Sequence, residues 1–194
     1  MSQYICVDIG GTSIKHGVLD ENAIIKECNQ TKTEAWLGGA AVLDKVKTIG
    51  KQYKEQYENI EGICISTAGM VDPEEGKIVF AGELMPGYTG TCIKKELEKA
   101  LEMPCEVEND VNCAGLAEYV SGSAKESHIM FCATVGTGIG GCAIVNGRVF
   151  HGASNSACEV GYIPMGDSDF QTLGASSILV RKVAEKKIEP LDMW

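Results

Sequence analysis

The chain has 194 residues, 44% of them hydrophobic, and a formal net charge of −10 from 17 Lys+Arg against 27 Asp+Glu. That is enough apolar material for one large or two small folded domains, and it excludes a disordered chain. So acidic a balance argues against the basic face that a nucleic-acid partner requires, and no apolar run approaches the ~18 residues of a membrane span. The opening "MSQYICVDIGG" has no basic leader region, so a cytoplasmic protein with a small-molecule ligand is expected.

In chain order, "QYICVDIG", "SIKHGVLD" and "AIIKECNQ" read as three short strands in a meander, separated by a Gly-Gly-Thr turn and by "DEN". Val42, Val46, Ile49, Tyr53 and Tyr57 then recur at spacings of three and four, which predicts an amphipathic helix with its lysines and glutamates in water. "EGICIST" reads as a buried strand and "VDPEEGKIVF" as a turn leading into another. Ile93, Leu97 and Leu101 predict a second helix over 91–103, stopped by Pro104. "PCEVEND" reads as a strand that feeds a helix beginning near Val111. Strands and helices mixed in this order indicate an α/β fold.

Nine cysteines lie scattered, with no Cys-x-x-Cys pair. Most fall in apolar runs such as "GICIS" and "IMFCATV", so they are expected to be reduced thiols that fill a core as small hydrophobes.

The sequence also echoes itself. "CVDIGGTSIKHGVLDENAII" (6–25) and "CATVGTGIGGCAIVNGRVFH" (132–151) are each a strand, a turn of glycine and threonine, a second strand and a polar turn, with a third strand after it. The same device twice suggests duplicated lobes whose hairpins would form a clamp. Glycines let the main chain approach a ligand and reach φ values other residues avoid, so Gly10, Gly11, Gly136 and Gly138 suit an anion nest for phosphate. Thr12 and Thr137 add hydroxyl donors and Lys15 a positive charge. Asp8 would repel phosphates on its own; a Mg²⁺ ion held through Asp8 or its waters removes the objection. A tight hairpin beside a solvated Asp8 is the plainer alternative.

The hairpin "DIGGTSIKHGVLD", the segment "STAGMVDPEEGKIVFAGELMPGYTG", the stretch "EVENDVNCAGLAE" and the run "TVGTGIGGCAIVNGRVFHGASNSACEVGYIPMG" together resemble the ROK family of sugar kinases and sugar-responsive repressors. The resemblance implies an actin-like ATPase (ribonuclease H-like) two-lobed fold with mixed sheets. In it, residues 1–112 form the first lobe and 113–194 the start of a second, incomplete lobe. It implies ATP and Mg²⁺ as cofactors, a hexose as substrate, and a protein that is often a homodimer. Asp110 in "ENDVN" matches the family's catalytic base, which takes the proton from the attacking sugar hydroxyl. The residues agree independently: a strand end feeding a helix N-terminus places Asn109 and Asp110 at a cleft, where the helix dipole favours an ionised carboxylate. An Asp at such a junction also serves as a helix cap. Gly69, Asn109, Asp110 and Glu159 match the sugar-binding positions, with "MPGYTG" as a sugar-side loop.

Three departures qualify the resemblance. Many members carry a zinc-binding histidine and a cysteine cluster, but Tyr162 stands at the histidine position and no cysteine follows Cys158, so no zinc is expected. Gln171 falls near a glutamate that often contacts sugar, which leaves the sugar open among glucose, a β-glucoside and N-acetylmannosamine. Residues 174–188 read as a helix, after which the chain stops where family members continue, so a C-terminally truncated chain with little activity of its own is expected. A sugar-sensing repressor or a non-sugar actin-like ATPase are the alternative functions. The first would need a DNA-binding segment ahead of Asp8, and the second has no use for "END".

Overall fold

In the computed structural model, which describes residues 1–186, contacts divide the chain into a unit Met1–Asp110 and a unit beginning at Val111. The first unit is built on strands β1 (Gln3–Ile9), β2 (Ser13–Asp20), β3 (Ile25–Lys32), β4 (Ile60–Thr67) and β7 (Cys105–Asn109). They form one sheet in the order β3-β2-β1-β4-β7. The first three strands are antiparallel neighbours, whereas β4 lies parallel to β1 and β7 parallel to β4. A short antiparallel pair, β5 (Met70–Asp72) and β6 (Lys77–Phe80), sits apart.

Helices α1 (Gly39–Gln56) and α2 (Ile93–Leu101) supply the crossovers that a parallel pair requires. Both cover the same sheet face. Ile5, Val7 and Ile9 of β1 and Ile63 and Ile65 of β4 are buried together with Val42, Val46 and Ile49 of α1 and Ile93, Leu97 and Leu101 of α2. Each such side chain contributes about 1.5–3 kcal/mol by leaving water. Gly50 permits the close helix contact, since a Cβ there would lie 2.6 Å from Leu101. Lys54 donates to the Leu101 carbonyl, satisfying the C-terminal end of α2.

Three local expectations need correction. β3 begins at Ile25 instead of Ala23, because Asp20 Oδ1 accepts from the Asn22 and Ile24 amides and Ala23 takes a left-handed φ of 59°, which prolongs the turn. α2 ends at Leu101, ahead of Pro104, because Glu102 terminates it in the left-handed region. None of the cysteines is in a disulfide, but only Cys105 and Cys142 are buried, while Cys28 and Cys64 are exposed and the rest half-buried. Strand alternation is the reason: Cys6 and Cys64 fall on the sheet face opposite the helices.

The second unit carries an antiparallel meander, β8 (Ile129–Val135), β9 (Ile139–Val145) and β10 (Arg148–Val149), in the order β10-β9-β8. It repeats the strand-hairpin-strand-turn-strand order of β1-β2-β3. Helix α3 (Asp110–Ser121) packs Val111, Leu116 and Tyr119 on Met130, Cys142 and Ile144. A two-residue pair, β11 (Pro164–Met165) and β12 (Ser168–Asp169), precedes α4 (Phe170–Gly174) and α5 (Ser176–Lys186). Of the helix expected over 174–188, the last two residues lie outside the described residues, as do the residues that follow. No helix among the described residues is long and apolar enough to cross a membrane.

Candidate active site

The first unit gathers its candidate residues at the carboxyl ends of its parallel strands, where ligands of open α/β sheets bind. Register places Asp8, Ser66 and Glu108 in one row across β1, β4 and β7, and Ile9, Thr67 and Asn109 in the next. Ser66 Oγ donates to Asp8 Oδ1 at 2.7 Å. Lys15, exposed on β2, lies opposite Asp8 on the other side of β1.

The hairpin Gly10-Gly11-Thr12 is held from β3's far end. Thr33, fully buried, donates its hydroxyl to the Gly10 carbonyl at 2.6 Å and its amide to the Thr12 carbonyl at 3.0 Å. The Gly10 amide is bonded to the Ser13 carbonyl. Gly11 and Thr12 are exposed.

The second unit's hairpin is held in the same manner by different groups. The Gly136 amide bonds the Gly138 carbonyl at 2.9 Å, closing the turn around Thr137. From the start of α5, the Ser176 amide reaches the Gly136 carbonyl at 3.0 Å and the Ser177 hydroxyl the Thr137 carbonyl at 3.1 Å. These restraints fix main-chain direction without covering Gly136 or Thr137, both exposed.

The hairpin glycines differ from expectation in their backbone conformation. None of Gly10, Gly11, Gly136 and Gly138 lies in the left-handed region, so a nest that alternates helical hands is not formed here. Close approach remains. A Cβ on Gly11 or Gly136 would meet nothing within 4 Å, so the fold itself does not require glycine at either position. What the missing side chain leaves is open space in front of a braced main chain.

Asn109 ends β7 and Asp110 begins α3. The Asn109 side-chain amide donates to the Gly69 carbonyl at 2.9 Å and to Asp110 Oδ1 at 3.0 Å, which ties all three together. Gly69 has φ +100°, a conformation that favours glycine, and a Cβ there would lie 2.7 Å from the Phe80 carbonyl. The "MPGYTG" loop is pinned by Tyr88, whose hydroxyl meets that of buried Thr67 at 2.7 Å. Burial pushes the Tyr88 phenol up to about 12, so it stays protonated.

Glu159 belongs to the second unit and is half-buried ahead of the 3₁₀ turn Val160–Tyr162. Its neighbour Cys158 holds φ +64°, a strained value for a side-chain-bearing residue, with its carbonyl against Gly141. Tyr162 is exposed, and Gln171 places its amide oxygen 3.0 Å from where a Gly138 Cβ would stand and 3.2 Å from that of Gly161. Among the described residues, no three His, Cys, Asp or Glu side chains gather as a metal cluster.

Sequence reasoning missed Ser66, Thr33, Ser176 and Ser177. The signal for Ser66 was present in principle, since alternation along "ICIST" puts it on Asp8's face once the two strands pair. The others act through backbone carbonyls and leave no mark in a pattern of side chains.

A ribonuclease H-like sheet order followed by a second braced glycine hairpin defines the fold of the actin-like ATPases. Within that class the chain belongs to the ROK family, whose model matches residues 4–175. It is 50% identical over 191 residues to an uncharacterized protein of Clostridium perfringens, covering 98% of this chain and 64% of that one. It is 31% identical over 165 residues to a glucokinase of Halalkalibacterium halodurans, covering 82% of this chain and 49% of the relative. Its structure resembles a ROK family glucokinase from Streptomyces griseus in complex with glucose and AMPPNP, with TM-score 0.83 and 26% identity over 96% of this chain and 62% of that one. The chain spans about half to two thirds of the length of the curated relatives it matches.

Proposed function

We propose that the chain carries the sugar and phosphate groups of an ATP-dependent hexose kinase, working in the cytoplasm. In this reading residues 1–112 belong to the first lobe and 113–194 begin the second. The observation that carries the reading is the pair of glycine hairpins, each braced through its carbonyls and each open where a side chain would stand.

Asp110 is the base. It takes the proton of the sugar hydroxyl as that oxygen bonds the γ-phosphorus, and the bond from phosphorus to the β-γ bridging oxygen breaks to leave ADP. Asn109 orients this carboxylate while its own amide is fixed on Gly69, so base and sugar-side backbone are set as one piece. Gly69, Asn109 and Glu159 present the polar groups that hold the hexose hydroxyls. Main chain at 10–12 and 136–138, with Lys15, holds phosphate oxygens, which is electrostatic work.

Asp8 would hold Mg²⁺, directly or through water. The donor set suits that ion, which is commonly bound through one or two carboxylates plus substrate phosphates and water. Bound there, Mg²⁺ supplies neutralisation of phosphate charge.

The test is ADP release by the whole protein against a panel of glucose, β-glucosides and N-acetylmannosamine, with Mg²⁺. Release that requires one of these sugars, with formation of its phosphate, is expected. Sugar-independent release would favour an actin-like ATPase, and sugar binding without turnover a regulator.

A further inference from the structure

Cys6 on β1 and Cys64 on β4 are register partners in the parallel pair. The alternation that sends Ile5, Val7, Ile63 and Ile65 into the core puts both thiols on the other sheet face. Paired strands lie about 4.8 Å apart, within the ~4.4–6.8 Å between Cα atoms that a disulfide spans. The two side chains are already hydrogen-bonded, neither is in a disulfide, and Cys64 is exposed among the described residues.

The Cys6 hydrogen bond holds the Cys64 thiol down to about 7, against partial desolvation and the neighbouring Glu106 carboxylate, which pull it up. Cys105 on the next strand shows the contrast. It is the register partner of Ile63, faces the core, and burial pushes its thiol up to about 12, which makes it inert.

We propose that Cys6 and Cys64 are a redox modification site, at which a hydroperoxide joins them as a disulfide that staples β1 to β4 two residues before Asp8 and Ser66. The Cys64 thiolate attacks the distal peroxide oxygen; the O–O bond breaks, and the departing oxygen takes a proton to leave as water or an alcohol. Cys64 is then a sulfenic acid. The Cys6 sulfur attacks the Cys64 sulfur, the S–O bond breaks, and the Cys6 proton leaves with the hydroxyl as a second water. Two electrons pass from the sulfur pair to the peroxide. The site does not depend on the kinase reading.

The test is peptide mapping of the whole folded protein after brief treatment with hydrogen peroxide, the thiols that remain being capped after the peroxide is removed and before digestion. A Cys6–Cys64 crosslinked peptide, reversible by dithiothreitol, should form several-fold faster than any oxidation of Cys28. Cys28 is an informative comparison because it is exposed but faces Gly17 in register instead of a second thiol. With Cys6→Ser, a sulfenic-acid probe should label Cys64 and no crosslink should appear. Oxidation of Cys28 ahead of the pair would overturn the proposal, as would Cys64 passing to a sulfinic acid while Cys6 stays free. Both readings come from the unmodified sequence, so a poorly folding variant leaves the answer intact.

Discussion

Ser66 on β4 donates to Asp8 Oδ1 on β1 at 2.7 Å, joining the last carboxylate of one parallel strand to the next strand. The bond fixes one oxygen and aims the other. If Asp8 organises Mg²⁺, Ser66→Ala should raise the Mg²⁺ concentration needed for half-maximal activity several-fold, while the loss of one partly exposed hydrogen bond costs about 1 kcal/mol of stability. Metal titration at saturating ATP, set beside urea unfolding, separates the two effects. An unchanged Mg²⁺ requirement would leave Ser66 with a structural role only.

Gly11 and Gly17 make an internal contrast. A Cβ on Gly17 would lie 2.0 Å from the Glu27 carbonyl of the paired strand, so Gly17→Ala should cost about 1–3 kcal/mol or more. A Cβ on Gly11 meets nothing, and its φ is not left-handed. Gly11→Ala and Gly136→Ala should therefore leave stability unchanged, or raise it by up to about 1 kcal/mol, while weakening nucleotide binding. Thermal unfolding and nucleotide titration on the same samples decide this. Normal nucleotide affinity in both stable variants would remove the phosphate role of the hairpins.

These two glycines also show what the sequence could and could not disclose. Strand, turn and strand at 3–20 and 132–145 were legible because apolar alternation and turns of glycine and threonine are local signals. The partners that brace the turns were not, since Thr33 and Ser176 act on backbone carbonyls through contacts that exist only once the chain is folded. The φ values of the hairpin glycines were hidden for a related reason: a glycine in a turn can serve through its conformation or through its size, and composition does not distinguish them. Asn109 and Asp110 were legible as a strand-to-helix junction, but the link from Asn109 to Gly69, forty positions earlier, depends on the pairing of β4 with β7.

Asp110→Asn replaces the proposed base by a group that cannot accept the proton. Turnover should fall by at least ~10²-fold with sugar binding largely retained. Stability should change by about 1 kcal/mol or less, since Asn caps helices as well as Asp and can still accept from Asn109. Steady-state kinetics of the whole protein with calorimetric sugar binding checks both. Near-normal turnover in a folded variant would reduce Asp110 to a helix cap.

The last prediction concerns pH and stability. His16 Nδ1 lies 2.8 Å from the Tyr53 hydroxyl, which also accepts from Asn29, and the two rings meet edge-on at 5.6 Å. Burial lowers the His16 pKa from 6.5, with Glu27 pulling weakly the other way, so the fold favours the neutral ring. In the unfolded chain this histidine takes up its proton near 6.5, before the folded one does. Its contribution is therefore complete above about pH 6.5 and is lost as pH falls through the lowered folded value. Glu27, Glu34 and Glu96 have pKa values lowered from 4.5, so their stabilisation starts to fade only further into acid. The window between about pH 6.5 and about pH 4.5 thus reports on the histidine before the carboxylates. Unfolding free energy should decline with acidification across that window in the natural sequence, and His16→Gln should flatten the decline while keeping a polar group beside Tyr53. An equal slope in the two proteins would mean that the His16 ring is protonated as easily folded as unfolded.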